Sequence, residues 1–258
     1  MNLRYEIEHL CSMYDIKLDP DKGQHFIISR KILRKEVVVA DTRGTDIVLD
    51  IGSGFGYLTE EIAKVAKKVY AVEIDKKVTM VFKHRLKNLL EEGKVFLIEG
   101  DFLRISIPKE ITSIISNPPY HIISQIILKV LREVFPNETF KGCVMILQHD
   151  YVRKLLAKPG SKLWGRLPAA FRFFARGKII AKVPATVFFP RPKVSSVMVK
   201  MWPIRESRMV DFETYERITD IIFSGSVNKK AKKIIRDHLR AFVGNWREYL
   251  AKLEKYVN

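Results

Sequence analysis

At 258 residues and 47% hydrophobic composition, the chain is long enough for one sizeable α/β domain with a small appendage, and too apolar for the disordered class. Its two cysteines, Cys11 and Cys143, stand far apart in no metal or redox spacing; this excludes a disulfide framework, gives no reason to expect a metal, and makes a reducing cytoplasm the expected location. No apolar stretch reaches bilayer-spanning length and the amino terminus has no apolar signal core, so no membrane association is expected; the formal net charge of +17 points instead to an acidic partner.

Residues 46–51 (DIVLDI) are short, β-branched and apolar, the pattern of a buried parallel strand. Residues 57–66 have helical spacing, 68–73 read as a second strand and 76–90 as a longer amphipathic helix. Residues 95–99 and 112–116 are a third and a fourth strand, 122–134 another helix and 142–148 a fifth strand. Strands alternating with helices of this length predict an α/β, doubly wound, mostly parallel sheet.

The pattern then changes. Residues 172–183 and 194–202 are two β-like runs around the Pro-rich stretch 184–192, and no crossover helix fits between them, so a long hairpin is predicted. They lie in a segment, residues 151–205, with 13 Lys+Arg and no Asp or Glu, whereas residues 1–150 balance 22 against 21. Solvated faces mix both signs; a one-sided segment suits an extended polyanion, because each Lys or Arg set against a phosphate releases a counterion. From residue 211 the reading is helical (212–223, 229–242 and 246–256), punctuated by Gly225 and Gly244. The expected division is a domain at 1–205, carrying an amino-terminal cap and the basic hairpin, and a small helical domain at 206–258.

Two constellations carry chemistry. Asp50-Ile51-Gly52-Ser53-Gly54-Phe55-Gly56 follows the first strand and opens a helix. Its glycines let a ligand lie against the backbone, and the spacing departs from the dinucleotide fingerprint because Tyr57 stands where a third spaced glycine belongs. A smaller nucleoside cofactor is expected at Gly52 and Gly54. Glu73, closing the second strand, is placed to accept both ribose hydroxyls, and Asp101, after the third, to bind an adenine amino group.

After the fourth strand comes Asn117-Pro118-Pro119-Tyr120. The exocyclic nitrogen of adenine is a poor nucleophile, its lone pair delocalised into the ring. An amide oxygen from Asn117 and the Pro118 carbonyl can accept its two N–H groups and free that lone pair to face an electrophilic methyl. The prolines stiffen the loop, and Tyr120 offers a flat face for an extruded base.

Together these motifs resemble the KsgA/Dim family of ribosomal RNA adenine dimethyltransferases over almost the whole chain. Gly23-Gln24-His25-Phe26-Ile27 is similar to that family's Gly-Gln-Asn-Phe-Leu cap, and residues 188–196 to its F-x-P-x-P-x-V-x-S stretch. Residues 224–234 loosely resemble the basic opening of its helical domain. The resemblance implies a class I, Rossmann-like methyltransferase fold with a small RNA-binding domain. It implies S-adenosyl-L-methionine as cofactor, contacted by His25, Ile27, Gly52, Gly54, Glu73, Asp101 and Asn117. It makes Asn117, Pro118, Tyr120 and Phe188 the catalytic set, with Phe188 the second aromatic face beside Tyr120. The implied activity is dimethylation of two adjacent adenosines in a hairpin near the 3′ end of small-subunit ribosomal RNA, by a monomer acting on an immature small ribosomal subunit. Pro118 replaces the family's usual Leu, and Pro168 a more common Ser. The Asn-Pro-Pro-Tyr spelling also occurs in DNA adenine and protein-glutamine methyltransferases. Another amino-group methyltransferase, or an assembly factor acting mainly by binding, therefore stands beside the first reading.

Overall fold

The computed structural model describes residues 2–20, 23–205, 212, 213, 215 and 216. In chain order the elements are α1 (Leu3–Met13), β1 (Phe26–Ile27), α2 (Arg30–Ala40), β2 (Ile47–Ile51), α3 (Tyr57–Ala63), β3 (Lys68–Glu73), α4 (Lys76–Arg85) and α5 (Lys87–Glu91). There follow β4 (Val95–Glu99), β5 (Ser113–Ser116), α6 (Ile123–Glu133), β6 (Gly142–Gln148), α7 (His149–Leu155), α8 (Arg166–Phe174), β7 (Ala175–Val183), β8 (Phe188–Phe189) and β9 (Ser196–Pro203).

Seven strands form one sheet in the order β4-β3-β2-β5-β6-β9-β7. β2 to β6 pair in parallel, and β9 runs antiparallel to β6. The central strands are short, apolar and buried on both faces: all four residues of β5 are buried, and six of the seven in β6. α6 shows how the layers meet. Its buried residues Ile123, Ile126, Ile127, Val130 and Leu131 recur at helical spacing, so a single stripe faces the core. The order reverses between β2 and β5, where an open α/β sheet leaves a crevice at the carboxyl ends of its strands. Ser116 at the end of β5 donates to the Ile51 carbonyl at 2.7 Å and ties the two strands at that point.

The chain divides into two compact units. One comprises Met1–Val152 and Gly177–Trp202; the other joins Arg153–Arg176 to the described residues from Pro203 onward. The predicted sheet is present, with three corrections. The helix expected over 76–90 breaks at Leu86, whose side chain lies under the Gly56 turn. The hairpin is shorter than expected, because 166–174 is a helix. Ala169, Ala170, Phe171 and Phe174 give α8 a buried stripe at helical spacing, and the aromatic run at its end only resembles a strand. The boundary near Arg205 is also too simple, since 153–176 belongs with the second unit. In that unit Phe173, Phe174, Phe212 and Tyr215 form an aromatic cluster with ring centroids 4.8–6.3 Å apart. Residues 212, 213, 215 and 216 are helical as predicted; the rest of the helices predicted over 212–223, 229–242 and 246–256 lie outside the described residues, as does the basic segment 224–234.

Candidate active site

The carboxyl ends of β2, β3, β4 and β5 open onto a cavity of about 530 Å³. Its floor is the turn from β2 into α3. Gly52 and Gly54 take left-handed φ of +70° and +59°, and neither has room for a side chain. A Cβ on Gly52 would stand 2.9 Å from the Pro119 ring, and one on Gly54 2.8 Å from the Phe26 ring. The glycine loop is therefore held between the Asn-Pro-Pro-Tyr segment and the amino-terminal cap.

Three carboxylates face this floor. Glu73, ending β3, accepts the Gly54 N–H at 2.9 Å through Oε2, and the Ile74 and Asp75 N–H groups at 2.9 and 3.0 Å through Oε1. Burial pushes its pKa above the ordinary carboxylate value although those donors pull the other way. A carboxylate has about four lone-pair directions and three are taken, so Glu73 keeps capacity for one further donor, such as a ribose hydroxyl. Asp101, just past β4, is fixed by the Leu103 N–H on Oδ1 at 2.9 Å. Asp50, within β2, accepts the Thr59 hydroxyl at 2.7 Å. Burial raises it to about 7; the Thr59 bond opposes the rise and the neighbouring Glu73 charge adds to it.

The cap closes one side. β1 pairs with β8, setting Phe26 opposite Phe189 and Ile27 opposite Phe188. Gln24 bridges to Asp75 at 3.1 Å, and Asp75 caps α4 through Lys77 N–H and Val78 N–H. His25 Nδ1 lies 2.8 Å from the Pro190 carbonyl. A carbonyl only accepts, so Nδ1 donates in this contact. The His25 ring stacks on Tyr120, centroids 6.0 Å apart and planes at 30°.

The target side is built from longer reaches. Tyr120 Oη shares a hydrogen bond with Ser196 Oγ at 3.0 Å, and burial pushes the phenol pKa up. Asn117 donates from Nδ2 to Glu36 Oε2 at 3.0 Å, and its Oδ1 is buried without a hydrogen-bond partner.

His25, Ile27, Gly52, Gly54, Glu73, Asp101 and Asn117 thus all line one cavity. Pro118 and Tyr120 flank it in the adjoining segment, and Pro119 rather than Pro118 forms part of its wall. Phe188 does not line it. Only 4% exposed, it packs in the core beside Ile27, and to stack on a base it would have to turn outward. Sequence reading missed Glu36, Gln24 and Asp75. For Glu36 a signal existed: a carboxylate on the apolar stripe of a helix.

A family model described as "Ribosomal RNA adenine dimethylase" matches residues 16–253. A probable ribosomal RNA small subunit methyltransferase A from Thermococcus sibiricus is 31% identical, covering 96% of this chain and 86% of the relative. Among solved structures, a dimethyladenosine transferase from Plasmodium falciparum superposes with a TM-score of 0.69 at 29% identity, covering 89% of this chain and 82% of that one. The 23S rRNA methyltransferase ErmE gives 0.62 at 25% identity, covering 76% of each chain.

Proposed function

Since the chain belongs to the ribosomal RNA adenine dimethylase family and is an S-adenosylmethionine-dependent methyltransferase of ribosomal RNA adenine, we propose that it modifies two adjacent adenosines near the 3′ end of small-subunit RNA. We further propose that it acts in the cytoplasm, as a monomer, on a partly assembled small subunit.

The cavity fits the cofactor. Glycines remove side chains where a nucleoside would lie on the backbone, Glu73 keeps an acceptor direction for a ribose hydroxyl, and Asp101 is held ready for an adenine amine. His25 and Ile27 close the cap over it. When bound, the cofactor supplies a methyl group on a positively charged sulfur.

The observation that carries the reading is the buried Oδ1 of Asn117, an acceptor without a hydrogen-bond partner on a residue that lines the cavity. A buried acceptor with no partner costs about 1–3 kcal/mol, a cost offset when a substrate N–H arrives. With the Pro118 carbonyl it takes the two N–H groups of the adenine amine and keeps the nitrogen lone pair free for transfer. Tyr120, its ring plane fixed by Ser196, offers the stacking face. No strong general base is required, because the methylated nitrogen is acidic enough to lose its proton to water.

The basic segment supports an RNA acceptor. Of its Lys and Arg residues, all but Arg172 and Lys200 are exposed. RNA affinity is therefore expected to fall steeply as salt rises; a flat response would remove this segment as the docking surface.

The test is transfer of labelled methyl groups to small subunits that lack the modification, followed by digestion of the RNA. Dimethyladenosine at adjacent positions near the 3′ end is the expected product. Label confined to large-subunit RNA would favour the second reading, a target like that named for ErmE.

A further inference from the structure

α2 buries a carboxyl on its core face. Its buried stripe is Leu33, Glu36 and Val37, the spacing at which a helix presents one face to the core, so a carboxyl stands where an aliphatic side chain belongs. Glu36 is 0% exposed. Its Oε2 accepts from Asn117 Nδ2, and its Oε1 has no hydrogen-bond partner. Burying a half-satisfied carboxyl is destabilising, and Leu or Ile would pack there without that penalty. Stability therefore gives no reason for this residue.

Its one bond does. A side-chain amide is nearly isosteric about its end: turned one way it offers an oxygen, turned the other an NH₂. Only the first serves an amine substrate, since an NH₂ facing the adenine amine sets donor against donor. In the structure Nδ2 is pinned on Glu36, which leaves Oδ1, buried and without a partner, as the end of this cavity-lining amide still able to accept. We propose that Glu36 is a positioning residue that fixes the Asn117 amide with its oxygen toward the target amine. This rests on the reading of Asn117 given above. Burial pushes the Glu36 carboxyl well above the ordinary carboxylate range, its bond to Asn117 pulls the other way and the neighbouring Asp50 adds to the rise, while Glu36 in turn helps to raise Tyr120 from the loop after β5. Ionised or protonated, the carboxyl keeps an oxygen with which to accept from Nδ2, so the bond persists.

Three variants test the assignment in the methyl-transfer assay: Glu36→Leu, Glu36→Gln and Asn117→Ala. Glu36→Leu is expected to raise Tm, to lower kcat by about tenfold to a hundredfold, and to leave KM for S-adenosylmethionine unchanged, because the amide loses its anchor while the cofactor floor is untouched. Glu36→Gln, whose amide oxygen can accept the same bond, should keep kcat within about threefold of the parent. A rise in stability with a loss of turnover, rescued by Gln, is not what a merely structural residue gives. Glu36→Leu with kcat within about twofold of the parent, beside an inactive Asn117→Ala, would overturn this proposal alone. Glu36→Leu losing Tm and kcat together, without rescue by Gln, would overturn it too and make Glu36 structural. An active Asn117→Ala would overturn the reading of Asn117 itself.

Discussion

On the cofactor side of the cavity, carboxylates are fixed by backbone N–H groups close to them in the chain: Glu73 by Ile74, Asp75 and Gly54, Asp101 by Leu103. On the target side the same accounting runs to distant partners. Asn117 is held by Glu36, 81 residues away, Tyr120 by Ser196, 76 away, and His25 by Pro190, 165 away. The first side is a property of the turns that follow β2, β3 and β4 and forms when the sheet forms. The second needs the cap, α2 and the stretch before β9 folded over it. If the residues have the roles proposed above, cofactor capture and presentation of the adenine are separable devices, and substitutions should divide along that line.

Asn117→Ala should give the largest effect. It removes the acceptor made for the reacting amine and should lower kcat by about 10²- to 10³-fold, with cofactor affinity changed by less than about threefold. Isothermal titration beside the transfer assay separates the two. Glu73→Ala should do the reverse, weakening cofactor binding by about thirtyfold to a hundredfold through loss of the ribose acceptor. It also frees three backbone donors that one carboxylate now serves, so its effect on folding should be measured alongside. If Asn117→Ala costs as much cofactor affinity as Glu73→Ala, the two sides are one coupled unit and the comparison fails.

The same division explains what the sequence made legible. Residues 68–73, 95–99 and 142–148 are strands to the residue, because the strands of a parallel sheet, including β4 at its edge, are here short apolar runs bounded by turn residues. Glu73 and Asp101 sit at the ends of two of those strands, and Gly52 and Gly54 follow β2, so reading the strands also reads the cofactor side. The target side resisted. That Glu36 meets Asn117, or His25 the Pro190 carbonyl, depends on packing between elements that no local pattern encodes. Phe188 matched a motif, yet register against Ile27 turns it into the core. Helix α8 was hidden for another reason: its aromatic residues have strand propensity as strong as their helical spacing.

A smaller effect tests the joint between cap and floor. Arg85, at the end of α4, donates to the Phe55 carbonyl at 2.6 Å and to Glu60 at 3.0 Å. It reaches Glu6 of α1 at 3.3 Å, with its guanidinium 3.7 Å from the Tyr57 ring centroid. Its side chain is 9% exposed, whereas Glu6 and Glu60 are more open, which reduces the cost of leaving them unpaired. Arg85→Ala should destabilise the protein by about 2 kcal/mol, seen in denaturant unfolding. Below the transition, kcat should be close to the parent's, since no target-side contact is lost.

The smallest effect is a pH slope on the cofactor side. Asp50, raised to about 7, holds its proton in the folded protein at a pH where the unfolded chain has released it. Without ligand, stability should therefore fall as pH rises from the ordinary carboxylate range to about 7, and then level off. A cofactor bearing positive charge favours the ionised form, so its binding displaces that proton and strengthens as pH rises through 7. Affinity at pH 6 is expected to be about tenfold weaker than at pH 8. Asp50→Asn should flatten this dependence and bind less tightly at pH 8. A slope that survives in Asp50→Asn would assign the proton to Glu73, whose pKa is also raised and which lines the same floor. The cofactor side would then respond to pH through its ribose acceptor rather than through the strand beneath it.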